Sequence, residues 1–346
     1  MLVLVGSYYF GIFFERLIKK IPKKKATQKI TIDFLRIFIT KQSLRTKIFI
    51  AGLWGLLFGV IINPYFPRDL IFYWYQIFQV GLINYQKIIG VGAEWYPYQL
   101  PELLVNAALT FLLLLPALIL FLVDFKKQGR KTISLFFLNF FFLILTLKSR
   151  RYVEYFIPFS ILFSAFSINL AAKTKTLAQL FLTIRQFPRY IKFLFLPLLI
   201  CFIVLFSLTV FKGAEENKKS LAHGAPFTRF QKVSQWLSQN TPEHSIIFHD
   251  NWDSSPYLFY YNTHNYYLVG LDPTFMYLAN QNLYWSWVNI TTGKQTGNLK
   301  KTIQEKFHSN YVFVDKNHQS LENNLIKSND FKLVYQDEEA RVYEIK

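Results

Sequence analysis

Long apolar runs limit this chain more than any other feature. A bilayer core about 30 Å thick takes roughly 20 apolar residues in a helix rising about 1.5 Å per residue. Runs at about 47–64, 103–123 and 193–211 meet that requirement. Two shorter ones, about 133–148 and 156–172, are separated only by KSRRYVEY and read as a transmembrane hairpin, with a re-entrant pair as the alternative. The opening MLVLVGSYYFGIFF gives about 14 residues before Glu15 and Arg16, too few for a span, and it lacks the basic start and cleavage site of a signal peptide. It reads as the tail of a helix that begins upstream. The expectation is a polytopic α-helical bundle of about six spans, the first incomplete. A composition of 52% hydrophobic and 19% aromatic residues agrees with a chain largely embedded in lipid.

Charge gives the orientation, because Lys and Arg gather in cytoplasmic loops. Residues 15–47 hold 11 basic against 2 acidic side chains, 124–132 hold 4 against 1, and 173–192 hold 5 against none. These stretches alternate with the spans, which leaves 65–102, 148–155 and everything beyond about 212 outside. The chain is therefore expected in the plasma (inner) membrane with an extracytoplasmic carboxyl-terminal domain. That last stretch, 212–346, has 14 basic and 14 acidic residues, so the formal +18 of the chain is almost wholly a topology signal. Nucleic acid is not an expected partner.

Several chemistries find no pattern here. The six histidines show no metal-ligand spacing and the single Cys201 lies in an apolar run, so no zinc site or disulfide framework is indicated. A divalent metal stays possible without a motif for it. Phosphate-cradling glycine loops and the nucleophile elbow are also missing.

Beyond the last span the pattern alternates between helix and strand, predicting a transmembrane region 1–211 and a small α/β domain 212–346. The run IIF and the stretch YYLVG read as strands, SSPYLFYY and TGNLKKTIQEKF as helices, YVFVDK as a strand, 318–328 as a helix, and FKLVYQD with ARVYEIK as a closing hairpin. Ligands in such sheets collect at the carboxyl ends of the strands. There HDNWDSS and LDPTF supply Asp250, Asp253 and Asp272, with Trp252, Tyr257, Asn262 and His264 offering the stacking faces and amides suited to a sugar or acceptor. The same residues also read as structure, with Asp253 and Asp272 capping helices and the tyrosines packing the sheet.

This layout, together with NWDSS at 251–255, resembles the GT-C superfamily of polytopic glycosyltransferases, which place several spans before an extracytoplasmic α/β domain. Its oligosaccharyltransferase members carry WWDYG soon after a strand near the start of that domain. Trp252 and Asp253 match it, whereas Asn251, Ser254 and Ser255 do not, so sequon recognition is not carried over. The aromatic stretch NPYFPRDLIFYWYQIF at 63–78, with Arg68 and Asp69, is similar to the interfacial outer helix of such enzymes, and equally to an ordinary aromatic belt.

Arg150 and Arg151 of SRRYVEYF fall at an outer interface, where positive charge is disfavoured and needs compensation. Guanidinium forks suit phosphate oxygens, and the resemblance implies a polyprenyl-phosphate-linked sugar as donor. The alternative is an ion pair with Glu154 or with the headgroups of membrane lipids. The resemblance also implies a catalytic aspartate in the first outer loop, expected from a missing amino-terminal half encoded separately; Asp69 and Glu94 are poor substitutes. The chain then reads as a membrane glycosyltransferase or its carboxyl-terminal part. A non-catalytic membrane protein whose outer domain binds glycans or a partner is the other reading.

Overall fold

The computed structural model describes residues 2–20, 44–186, 189–270 and 272–346. The middle of the basic stretch 15–47, and Leu271 of LDPTF, lie outside the described residues. The chain divides into two compact units, Met1–Leu70 with Ala93–Ala222, and Ile71–Gly92 with His223–Lys346.

The first unit is helical. Two of its helices, Arg130–Lys148 of 19 residues and Arg150–Lys173 of 24 when its opening 3₁₀ turn is included, are long and apolar enough to cross a membrane. They pack against one another as a helical hairpin. The run expected as one span at 103–123 is instead broken: helix Leu100–Asn106 meets helix Ala108–Val123 at 90°. The break falls where Ala107 leaves helical geometry at φ −112° and ψ 24°, a local change that hydropathy does not register. The run at 193–211 belongs to a 34-residue helix, Arg189–Ala222, that continues past the apolar stretch.

Packing in this unit centres on Leu114, Phe121, Ile133, Phe156 and Phe163, all buried. Phe121 stacks on Phe136 at 4.9 Å and meets Phe163 edge-on at 5.3 Å. Between the hairpin helices the Ser160 hydroxyl donates to Asn139 Oδ1, giving a buried amide oxygen its partner. The helix Leu2–Lys20 packs on Arg130–Lys148 through Gly11, where a Cβ would stand 2.1 Å from Ser134 Oγ and 2.8 Å from the Arg130 carbonyl oxygen.

The second unit is an α/β domain around a five-stranded mixed sheet of order β2-β1-β3-β5-β4. The strands are β1 (Ile246–His249), β2 (Tyr266–Tyr267), β3 (Ser309–Asp315), β4 (Phe331–Gln336) and β5 (Ala340–Ile345). β1 is parallel to both β2 and β3, while β5 runs antiparallel to β3 and β4. The expected strand at YYLVG is reduced to two residues. Helices Ser255–Tyr261, Leu299–Phe307 and Gln319–Lys327 and the closing hairpin form where the periodicity places them. Helices Pro273–Ala279 and Gln281–Thr291 were not anticipated beyond the cap at Asp272.

Apolar residues on one side of the sheet, among them Phe248, Val312, Val314 and Tyr343, pack with Leu299, Ile303, Phe307 and Trp287 from the helices. This core also buries Ile89, with Tyr85 and Val91 against it, from the early segment 71–92. The helix Arg68–Trp74 continues into a π-helix, Tyr75–Ile83, and Phe72 stacks on Phe275 at 5.6 Å, nearly parallel. The aromatic stretch foreseen as an interfacial helix thus spends some of its rings on packing within this domain.

Candidate functional site

The hairpin tip is held before its arginines are placed. Ser149 is extended and buried, its hydroxyl donates to the Glu94 carbonyl at 2.9 Å, and the Arg150 N–H donates to the Tyr96 carbonyl at 3.0 Å. A 3₁₀ turn, Arg150–Tyr152, then presents two successive guanidiniums. Arg150 Nη2 lies 3.0 Å from Glu102 Oε2 and its guanidinium stands 5.2 Å over the Tyr98 ring. Arg151 Nη1 lies 3.6 Å from Glu94 Oε1, with its guanidinium 5.5 Å over Trp95.

The counter-charge expected from Glu154 comes from elsewhere. Among the described residues Glu154 makes no ion pair with either arginine; Glu94 and Glu102, from the loop and helix before the hairpin, take that place. Both pairs are half-exposed, with side-chain exposures of 36% and 37% for Arg150 and Glu102. Pairs so open to water contribute about 0–1 kcal/mol, enough to orient the forks and too little to lock them. Arg150, Arg151, Tyr98, Glu94 and Glu154 line one cleft of about 370 Å³. Of the other early residues, Arg68 is exposed, and Asp69 is buried with neither carboxylate oxygen hydrogen-bonded among the described residues.

In the α/β domain the ends of the parallel neighbours β1 and β3 assemble a second polar cluster. Asp250, the residue after β1, accepts the Asp315 N–H at 2.8 Å and faces His318 Nδ1 at 3.0 Å, both through Oδ2; its Oδ1 is buried without a partner among the described residues. Burial pushes the Asp250 carboxyl up despite His318. The hydrogen bond to Asp250 pushes the His318 imidazole up as well, helped by the charges of Asp250, Asp315 and Asp253. Asp315 in turn takes the Arg229 guanidinium on Oδ2 at 2.6 Å and the Asn317 N–H on Oδ1 at 3.0 Å. Arg229 lies 4.6 Å over the Phe230 ring and 5.7 Å over Tyr257.

The residues anticipated at this end divide by what they do. Asp253 is exposed beside His318, and the cap of its turn is Asn251, whose Oδ1 lies 3.4 Å from the Asp253 N–H. Asp272 caps the helix Pro273–Ala279 by accepting the Thr274 N–H at 2.8 Å. Trp252 packs against the larger core. Asn262 donates to Asn265 Oδ1 at 2.7 Å and accepts the His264 N–H at 2.9 Å, while His264 Nε2 bonds the Thr241 carbonyl at 3.0 Å. Arg229, Asp315 and His318 were missed, since each acts across a long separation in sequence. His249, the last residue of β1, is wholly buried; its Nε2 accepts the Val269 N–H at 3.2 Å and its Nδ1 donates to the Asn251 carbonyl at 2.8 Å. Burial holds it neutral, with its pKa lowered to about 4. Among the described residues no three His, Cys, Asp or Glu are grouped to hold a metal ion.

No family model and no curated protein matches this chain. Among solved structures, the archaeal oligosaccharyltransferase AglB from Archaeoglobus fulgidus, captured with an inhibitory peptide and a dolichol-phosphate, is similar at a TM-score of 0.45 and 17% identity. The match covers 83% of this chain and 36% of that protein, so the chain spans about a third of its length. A likeness of that depth defines neither family nor activity.

Proposed function

We propose that the chain is a membrane glycosyltransferase, or the carboxyl-terminal part of one, that receives a sugar from a polyprenyl-phosphate donor and passes it to an extracytoplasmic acceptor. One observation carries the reading: Arg150 and Arg151 stand side by side in a single cleft at the tip of a hairpin of membrane-length helices. Two adjacent forks match the oxygens of a phosphate, and charge-assisted bonds of about 1.5–3 kcal/mol each outweigh the exposed pairs with Glu94 and Glu102. In this reading the ion pairs hold the arginines ready and open when the lipid phosphate arrives. The arginines then stabilise the phosphate as it leaves the anomeric carbon. The charge distribution supports a tip facing outward in the plasma (inner) membrane, and Asp253, exposed in the α/β domain, is the aspartate best left for an acceptor.

The test is binding of a polyprenyl phosphate to the purified full chain. Arg150→Lys and Arg151→Lys keep the charge and lose the planar fork, so affinity should fall about tenfold with folding intact. Glu102→Gln should leave binding equal or tighter. Undiminished binding by both lysine variants would sink the donor-site reading.

A further inference from the structure

The other end of the same hairpin carries a second cleft, of about 320 Å³, with a different chemistry. Helix Arg130–Lys148 begins there and helix Val153–Lys173 ends there, so Arg130, Lys131 and Lys173 converge from both helices on one opening. Among the described residues one carboxylate, Glu15, lines it too, and its Oε2 lies 3.7 Å from Arg130 Nε. Among the described residues that line it, three cations against one anion leave the opening positive. Asn169 adds an amide, and Phe166 and Leu170 supply an apolar wall that descends along the helix Val153–Lys173. A free anion uses the cations and gains nothing from the wall. A ligand with an anionic head and a hydrocarbon tail uses both.

We propose that this cleft binds the headgroup of an anionic phospholipid, with Arg130 and Lys173 on the phosphate and the first acyl segment along Phe166 and Leu170. The inference rests on the hairpin spanning the membrane, as in the reading above, and is independent of what Arg150 and Arg151 hold. A fixed anion at this end stabilises three gathered positive charges and thereby the hairpin's seating in the inner leaflet.

The experiment measures binding of short-chain phosphatidylglycerol, short-chain phosphatidylcholine and water-soluble glycerol phosphate to the purified full chain in neutral detergent. Phosphatidylglycerol should bind, with its affinity about tenfold lower in Arg130→Gln and in Lys173→Gln. Arg130→Lys should recover most of it. Lys126→Gln, exposed in the preceding turn and outside the cleft, should match the parent. The proposal is overturned if Lys126→Gln loses as much as the cleft variants, which marks diffuse attraction, or if the cleft variants bind undiminished. Equal binding of phosphatidylcholine, or glycerol phosphate binding as tightly as the lipid, overturns it also. Lys173 is exposed at a helix end, so Lys173→Gln carries the test should the Arg130 variants fail to fold. A parent that binds phosphatidylglycerol while ignoring polyprenyl phosphate separates this site from the proposed donor site.

Discussion

His318 Nδ1 lies 3.0 Å from Asp250 Oδ2, joining a half-exposed imidazole to a carboxylate with no exposed side-chain surface. The bond raises the imidazole's pKa above 6.5, so the folded chain keeps that proton when the unfolded chain has lost it. The stability this pair contributes is full below pH 6.5 and drains away as pH rises through the folded value. In His318→Gln the imidazole's share of that loss should vanish, leaving only the loss due to the Asp250 carboxyl, itself pushed up by burial. The measurement is thermal unfolding of the full chain between pH 6 and 9, and parallel profiles for parent and variant would refute the assignment. At pH 6 the variant should itself be weaker by about 1–3 kcal/mol, because the buried carboxylate loses its charged partner.

His249 has the opposite sign. Its pKa, lowered to about 4 by burial, means that between pH 6.5 and 4 the unfolded chain takes up a proton the folded one refuses. Stability is thus lost as pH falls through that window, by roughly 3 kcal/mol once pH 4 is reached. His249→Gln has no such titration. Its unfolding temperature should be lower than the parent's at pH 7.5 and fall less steeply on acidification; an unchanged acid slope would contradict the buried neutral tautomer.

Gly11 tests how the first helix is seated. A side chain there meets Ser134 Oγ and the Arg130 carbonyl at distances no real Cβ tolerates, and the carbonyl cannot move without the helix. Gly11→Val should cost about 1–3 kcal/mol as overpacking does. Gly6→Val, with nothing within 4 Å of its added Cβ, is the matched control. Equal melting of the two variants would remove the close contact from consideration.

A carboxyl-terminal piece that starts at residue 213 should melt without cooperativity or at a much lower temperature, because Ile89, only 4% exposed in the core, stays behind with Tyr85 and Val91. Truncating one buried isoleucine typically costs 2–5 kcal/mol, a large share of a small domain's stability. Supplying a peptide of residues 71–92 should raise the transition, as read by circular dichroism. A piece as stable without the peptide as with it would show the segment to be dispensable.

On the proposed orientation, in which the 20 basic residues of 15–47, 124–132 and 173–192 face the cytoplasm, fusing alkaline phosphatase after Lys346 should give active enzyme. Activity from a cytoplasmic reporter at the same position, with a silent phosphatase, would reverse the topology.

Much of the α/β domain was legible because its signals are local. Pro256 and Pro273 open helices, Asp272 caps one, and FKLVYQ and ARVYEI pair through a short turn. Arg150 and Arg151 could be singled out because hydropathy alone placed them between two apolar runs. Their partners could not, since Glu102 stands 48 residues before Arg150 and only the fold brings it round. The same holds for Arg229 on Asp315, separated by 86 residues. The 90° bend at Ala107 was hidden inside a continuous apolar run, where a straight and a broken helix have the same composition. Helices Pro273–Ala279 and Gln281–Thr291 mix aromatics with amides so evenly that neither period stands out.

The second unit is assembled from two pieces of chain, Ile71–Gly92 and His223–Lys346. Synthesis delivers the first piece early and the other only after all of Ala93–Ala222 has been made. Until then Ile89 and its neighbours have no sheet to cover. The domain's core therefore closes last, after translation has passed the hairpin, and a ribosome stalled before β5 leaves an apolar segment waiting for a partner not yet translated.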